Sequence, residues 1–191
     1  VHNGIIENFR ALRTEFEADG IVFETETDTE AVAQLCAREL ARGLPPVEAA
    51  RATLRRLEGA FALCFLFEGE DNLLVAARRG SPLAVGYGDG ETFVGSDALA
   101  LAPLTQKIAY LEEGDWVVLT REGAQVFDAE NRPVTREITT SGASAAAIEK
   151  GNYRHFMQKE IFEQPVVVAQ TLRSYIRQLE RKVVLPQIDF D

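Results

Sequence analysis

Between Ala60 and Pro133 the chain runs through short apolar segments, ALCFLF, LLVAA, LAVGY, TFVGS, IAYL, WVVLT and AQVFD, separated by Gly, Asp, Asn and Glu. Segments of this length, punctuated by turn residues, read as antiparallel strands joined by tight connections, with few helices among them. The stretch before them has a different period. Val1-His2-Asn3-Gly4 reads as the end of a strand entering a turn. Ile5, Ile6, Phe9, Leu12 and Phe16 then recur at helical spacing up to Gly20. Gly20 to Phe23 predicts a short strand. Thr27 and Glu30 form a capping box for a helix through about Arg42, and Pro45-Pro46 opens a third helix reaching Leu57. Helices on one side of such strands imply an α+β layered fold, in which any open sheet edge needs covering.

After the strands, Thr139 to Lys150 is small and polar, which suits a linker. From Tyr153 to Lys182 apolar residues return at helical spacing and are interrupted at Pro165, predicting two helical pieces. The expected organisation is therefore a body over residues 1–138, a linker over 139–152 and a helical segment over 153–191. A chain of 191 residues, 46% hydrophobic and 26% charged, can bury one substantial core or two small ones. Its net charge of −10 argues against nucleic acid as a partner, because phosphate backbones need clustered Lys and Arg. The apolar stretch Gly59 to Phe67 is far short of the roughly 20 residues that span a bilayer, and no signal pattern opens the chain. No membrane partner and a cytoplasmic setting are expected. Cys36 and Cys64 lie among apolar neighbours and read as buried thiols in a reducing compartment.

Few groups offer chemistry. Asn3-Gly4 at a strand end can aim a side-chain amide and a backbone N–H at one point, as an oxyanion hole requires, and is equally a common turn dipeptide. Asp28, in the first turn of a helix, can hold a substrate ammonium, or can simply stabilise the helix dipole. His2 and His155, the only histidines, form no metal-ligand spacing with the cysteines, so neither a metal nor a cofactor is expected. Phosphate-binding glycine loops and the nucleophile elbow of serine hydrolases are absent. Gly86 to Gly90 fits a hairpin turn. Arg78-Arg79-Gly80-Ser81-Pro82-Leu83 is open to two readings, a phosphate-binding turn or an ordinary connection between strands.

The string His2-Asn3-Gly4-Ile5-Ile6-Glu7-Asn8-Phe9, followed by Glu26-Thr27-Asp28-Thr29-Glu30, resembles class II glutamine amidotransferases. Amidophosphoribosyltransferase shares those two elements. Arg78 to Leu83, Ser96 to Leu101, Tyr110 to Asp115 and above all Tyr153 to Pro165 are similar to the glucosamine–fructose-6-phosphate aminotransferases (isomerising). The resemblance implies an N-terminal-nucleophile hydrolase fold, an αββα sandwich of antiparallel sheets between helical layers, here incomplete at its N-terminus. It implies hydrolysis of L-glutamine to glutamate and ammonia, and transfer of that ammonia to fructose 6-phosphate in a separate sugar-isomerase domain of a homodimer. By the same resemblance Asn3 and Gly4 form the oxyanion hole and Asp28 binds the glutamine α-ammonium. The nucleophilic N-terminal Cys of the family has no counterpart in this chain, so these residues alone are expected to be inactive. The alternative is a non-catalytic interaction or regulatory module of the same fold.

Overall fold

The computed structural model describes residues 1–142, 151–177 and 182–183. The chain divides into two compact units, Val1–Ala147 and Ile148–Asp191. In the first, strand β1 (His2–Ile6) precedes helices α1 (Phe9–Ala18), α2 (Asp28–Ala41) and α3 (Pro46–Leu54). Strands β2 (Gly59–Leu66), β3 (Leu74–Arg79), β4 (Ala84–Tyr87) and β5 (Thr92–Gly95) follow. After the single turn α4 (Ala98–Leu101) come β6 (Lys107–Tyr110), β7 (Trp116–Thr120), β8 (Gly123–Phe127), β9 (Pro133–Val134) and β10 (Thr139–Thr140). Every apolar segment of the sequence reading supplies a strand. They form one sheet in the order β1-β2-β3-β7-β8-β9 and a second in the order β10-β6-β4-β5, each pairing antiparallel.

Side chains alternate across the first sheet, as the two-residue period of a strand demands. Phe61, Leu63, Val75, Ala77 and Trp116 face one way and join Leu12, Phe16, Val32, Leu35 and Leu54 of the three helices in one core. Their neighbours Ala62, Ala76, Val117, Leu119 and Val126 face the other way and pack on Leu83 and Val85, the second sheet's contribution. The outer face of the second sheet buries Ala84 and Ile108 against Leu101 of α4. The layers are thus helix, sheet, sheet, helix, with the last reduced to one turn. Asp97 caps that turn by accepting the Ala100 N–H at 2.8 Å.

Several local expectations are corrected. Ile5 and Ile6 belong to β1, not to a helix: pairing with Ala60 and Gly59 over a long sequence distance overrides their local spacing. The helix begins only at Phe9, after Asn8 has bridged Arg56 O and Glu58 N. Gly20 to Phe23 is no strand. Gly20, at φ +82°, closes α1 with a bond from Ile21 N to Phe16 O, and Ile21 and Phe23 plug the helical core. The capping box does not form: Thr27 makes no side-chain cap bond, while the Glu30 carboxylate accepts from Glu24 N and Thr25 N and holds the preceding loop. Helix α3 stops at Leu54, short of Leu57. Thr139 and Thr140, placed in the linker by the sequence reading, instead pair with β6 at the edge of the second sheet. Residues 143–150 of that linker lie outside the described residues.

In the second unit α5 (Phe156–Tyr175) is one helix that passes through Pro165, where two pieces were expected. Proline's fixed φ is helical, so the helix loses only the bond to the Ile161 carbonyl. It ends at Tyr175, and β11 (Ile176–Arg177) pairs with β12 (Lys182–Val183), where continued helix was expected. The remainder of that expectation, residues 178–181 and 184–191, lies outside the described residues.

Two ion pairs fasten the first unit. Asp115, 1% exposed, accepts both forks of Arg136 at 2.7 and 2.8 Å and the Glu112 N–H at 2.7 Å. The Asp115 carboxylate in turn holds the Arg136 guanidinium above its usual pKa. Removing Asp115 strips the half-buried Arg136 of two hydrogen bonds and leaves it only Glu112, at 3.0 Å, so Asp115→Ala is expected to lower the unfolding free energy by about 2 kcal/mol in urea titrations. Glu15 joins α1 to Arg56 at 2.6 Å and to Arg38 at 2.7 Å. Hydrogen bonds from Arg56 first and Arg38 second lower its pKa from 4.5 to about 2. A carboxylate depressed in this way stabilises the fold fully above its unfolded pKa and loses that contribution as pH falls through the folded value. The chain should therefore lose stability relative to Glu15→Gln as pH drops from 4.5 toward 2. Because Glu15 is 41% exposed, solvent screening keeps the effect to about 1 kcal/mol or less.

Candidate active site

Among the described residues strand β1 forms the outer edge of the first sheet, paired with β2. Val1 exchanges both backbone bonds with Cys64, and Glu7 N reaches Glu58 O at 2.8 Å, so odd-numbered residues of the strand bond inward. By the alternation of an antiparallel ladder, the N–H groups of His2, Gly4 and Ile6 point out from the edge. The Ile6 N–H meets Asp28 Oδ2 at 2.8 Å. Asp28 is the first residue of α2, and this bond docks the helix N-terminus on the strand edge.

Asp28 and the outward N–H groups of Gly4 and Ile6 thereby share the edge of β1 beneath the start of α2, and Asn3 precedes Gly4 on that strand. Asp28 Oδ1 lies 3.7 Å from His2 Nδ1, and Oδ2 holds Ile6, so the carboxylate brackets the Asn3-Gly4 step. Its side chain is 23% exposed and open to a ligand. The Asn3 side chain is exposed and makes no hydrogen bond among the described residues. Gly4 has φ +123°, and a Cβ there would lie 2.2 Å from Ala60 O, so only glycine fits. Gly59, paired with Ile6, has φ +119°, and a Cβ there would lie 2.3 Å from Ile5 O. These two glycines let β1 and β2 approach while the Gly4 amide keeps its outward aim.

His2 entered the sequence reading as the first residue of the His2-to-Phe9 string and as a histidine without metal-ligand spacing, with no role of its own. Its side chain is 3% exposed, its Nδ1 lies 3.0 Å from Thr29 Oγ1, and it packs beside Asp28. The signal was available in the period of the strand, which puts residues 2, 4 and 6 on one side. Among the described residues no cluster of three or more His, Cys, Asp or Glu is placed to hold a metal. Both cysteines are free, and burial pushes both thiols above their usual pKa, which suppresses the thiolate a nucleophile needs. The turn at Arg78 to Leu83 resolves as a strand connection: its Gly80 N–H donates to the chain's own Glu113 carboxylate at 2.8 Å. Among the described residues no helix is long and apolar enough to cross a membrane.

Two stacked antiparallel sheets between helical layers define a fold of the N-terminal-nucleophile hydrolase type. A solved structure of glutamine phosphoribosylpyrophosphate (PRPP) amidotransferase from B. subtilis, complexed with ADP and GMP, superposes with a TM-score of 0.57 at 25% identity, over 70% of this chain and 29% of that one. A family model described as "Glutamine amidotransferase domain" matches residues 1–103, and the chain belongs to that family. It is also similar to proteins named glutamine–fructose-6-phosphate aminotransferase [isomerizing], 64% identical in Zymomonas mobilis and 58% identical in Brucella abortus, across its whole length. It spans 32% of the length of those relatives.

The glycine geometry predicts a contrast. Gly4→Ala is expected to cost about 2 kcal/mol or more, or to displace β1, because both φ and backbone space oppose a Cβ. Asn3→Ala, at an exposed side chain, should stay within about 0.5 kcal/mol of the parent. Parallel chemical denaturation of the two variants checks it.

Proposed function

We propose that this chain is the glutamine-binding and oxyanion-stabilising part of a glutamine–fructose-6-phosphate aminotransferase. The observation that supports the reading is the bond from Ile6 N–H to Asp28 Oδ2, which docks Asp28 on the strand edge that carries Asn3 and the outward Gly4 N–H, within a chain of the glutamine amidotransferase family. Asp28 Oδ1, left free by the Ile6 bond to Oδ2, receives the α-ammonium of glutamine as a charge-assisted bond. Asn3 Nδ2–H and Gly4 N–H donate to the oxygen of the amide as it becomes tetrahedral, which lowers the barrier by about 3 kcal/mol for each donor. The attacking thiol comes from outside these residues, since neither Cys36, which is buried, nor Cys64, which is half-buried, is N-terminal, and burial pushes both thiols above their usual pKa. Attack forms a thioester and releases ammonia, and water then frees glutamate.

On this reading the first 138 residues are the amidotransferase part. The chain beyond β10 connects them to helix α5 (Phe156–Tyr175), in a segment that leads toward a sugar-isomerase domain. There the ammonia meets fructose 6-phosphate, in a homodimer acting in the cytoplasm; the free thiols are consistent with such a reducing setting.

Glutamate release is to be measured for this chain and for a longer form carrying the N-terminal Cys that the resemblance calls for. Only the longer form should be active. In it Asn3→Ala should lower kcat by about 10²- to 10³-fold, and Asp28→Asn should act mainly on KM. A folded, processed longer form without glutaminase activity would sink the reading in favour of a non-catalytic module.

A further inference from the structure

A cavity of about 630 Å³ opens on the helix-facing side of the first sheet, beneath the end of α3. Four arginines line it: Arg51 and Arg55 from α3 and its C-cap, and Arg78 and Arg79 from the end of β3. In a chain of net charge −10 this is a local reversal of sign. Arg51 pairs with Glu48, and Arg78 with Glu113 at 3.0 Å. The carboxylates in the lining are engaged as well, Glu113 by Arg78 and the Gly80 N–H, and Glu130 by Arg132. Arg55 and Arg79 form no ion pair among the described residues. Arg79 gives one N–H to Leu57 O at 2.6 Å and lies over the Phe61 ring at 5.1 Å.

Two further donors in the same lining are unmet. Trp116, only 6% exposed and stacked on Phe127 at 4.3 Å, has a buried Nε1–H without an acceptor, and so has Arg78 at Nε. Buried donors without partners are rare in native proteins and call for an acceptor. Here both unmet groups donate, and the spare charge beside them is positive. The lining is thus richer in free donors than in free acceptors, which favours a ligand that is anionic and rich in oxygens.

We propose that this cavity binds a small phosphate monoester, its phosphoryl group facing Arg55 and Arg79 and its organic part lying on the apolar walls of Leu54, Phe61 and Trp116. A monoester carries about −1.5 to −2 charge at neutral pH, which matches two uncompensated guanidinium groups. Its three oxygens use more of the available N–H groups than one carboxylate can, and the cavity is of the size that encloses a whole metabolite rather than a bare ion. The ambiguous Arg78 to Leu83 turn enters here through its arginine side chains. Its own backbone N–H is already occupied by Glu113. None of Asn3, Gly4 and Asp28 lines this cavity, so the proposal stands apart from glutamine hydrolysis.

Trp116 is the only tryptophan, so fluorescence excited at the red edge, where the four tyrosines do not absorb, comes from a residue of this cavity. The chain is to be titrated at constant ionic strength with glucose 6-phosphate, inorganic phosphate and succinate. A saturable change is expected with the ester, a weaker one with inorganic phosphate and none with succinate. Arg55 is exposed and Arg55→Gln should fold as the parent does, with an unchanged Tm, while weakening the ester by about tenfold or more. Arg79→Gln is the second variant. No saturable response to either phosphate, an equal response to succinate, equal affinity for inorganic phosphate and the ester, or undiminished binding in both variants would each overturn the proposal.

Discussion

Strands β2, β3 and β7 carry apolar side chains on both faces, and a sheet built from them must be covered twice. Phe61, Leu63, Val75 and Trp116 require the three helices on one side. Ala62, Ala76, Val117 and Leu119 require the second sheet on the other. The small alanines on that second face fit close sheet-on-sheet packing, whereas the large aromatic residues are reserved for the helices, whose ridges leave deeper grooves. Layer order, helix placement and the position of β1 at the rim all follow from this one distribution.

The rim is where the fold creates opportunity. An edge strand exposes every second backbone N–H, a liability in most sheets. Here the N-terminus of α2 descends on that edge, and Asp28 takes up the Ile6 N–H. The same bond fixes the carboxylate beside Asn3-Gly4, so helix docking and site assembly are one event. Glu15, held by Arg38 of α2 and by Arg56 after α3, keeps the helical layer in register with that docking.

Much of this was legible in the sequence. The strands from Ala62 to Asp128 could be read because apolar runs and turn residues are local signals, and the helices from Asp28 and Pro46 because their starts are chemically marked. What escaped depends on partners distant in sequence. Ile5 and Ile6 look helical until Ala60 and Gly59 are brought alongside, and Glu30 looks like a capping residue until the loop at Glu24 and Thr25 folds back to it. The site residues Asn3, Gly4 and Asp28 were named from short motifs. The docking of Asp28 on β1, the burial of His2 and the crowding of Gly4 against Ala60 O all arise from pairing across more than twenty residues. Cavities are the extreme case: Arg55, Arg79 and Trp116 share no local pattern at all.

The two outward N–H groups that flank Ile5 illustrate how one physical fact serves two ends. Ile6 N–H has a permanent acceptor in Asp28, and so contributes to holding the helix on the sheet. Gly4 N–H has the same outward aim, and its φ of +123° keeps the strand in register there without a side chain to shield it. A donor held rigidly by a ladder on one side and left open on the other needs no reorganisation when negative charge develops before it, which is the condition under which a hydrogen bond favours a transition state over a ground state. A loop amide would first have to be ordered. In the proposed reading the oxyanion donor sits on a paired edge strand with Asp28 docked two residues away, so stability of the sheet and readiness of the site arise from the same backbone bonds.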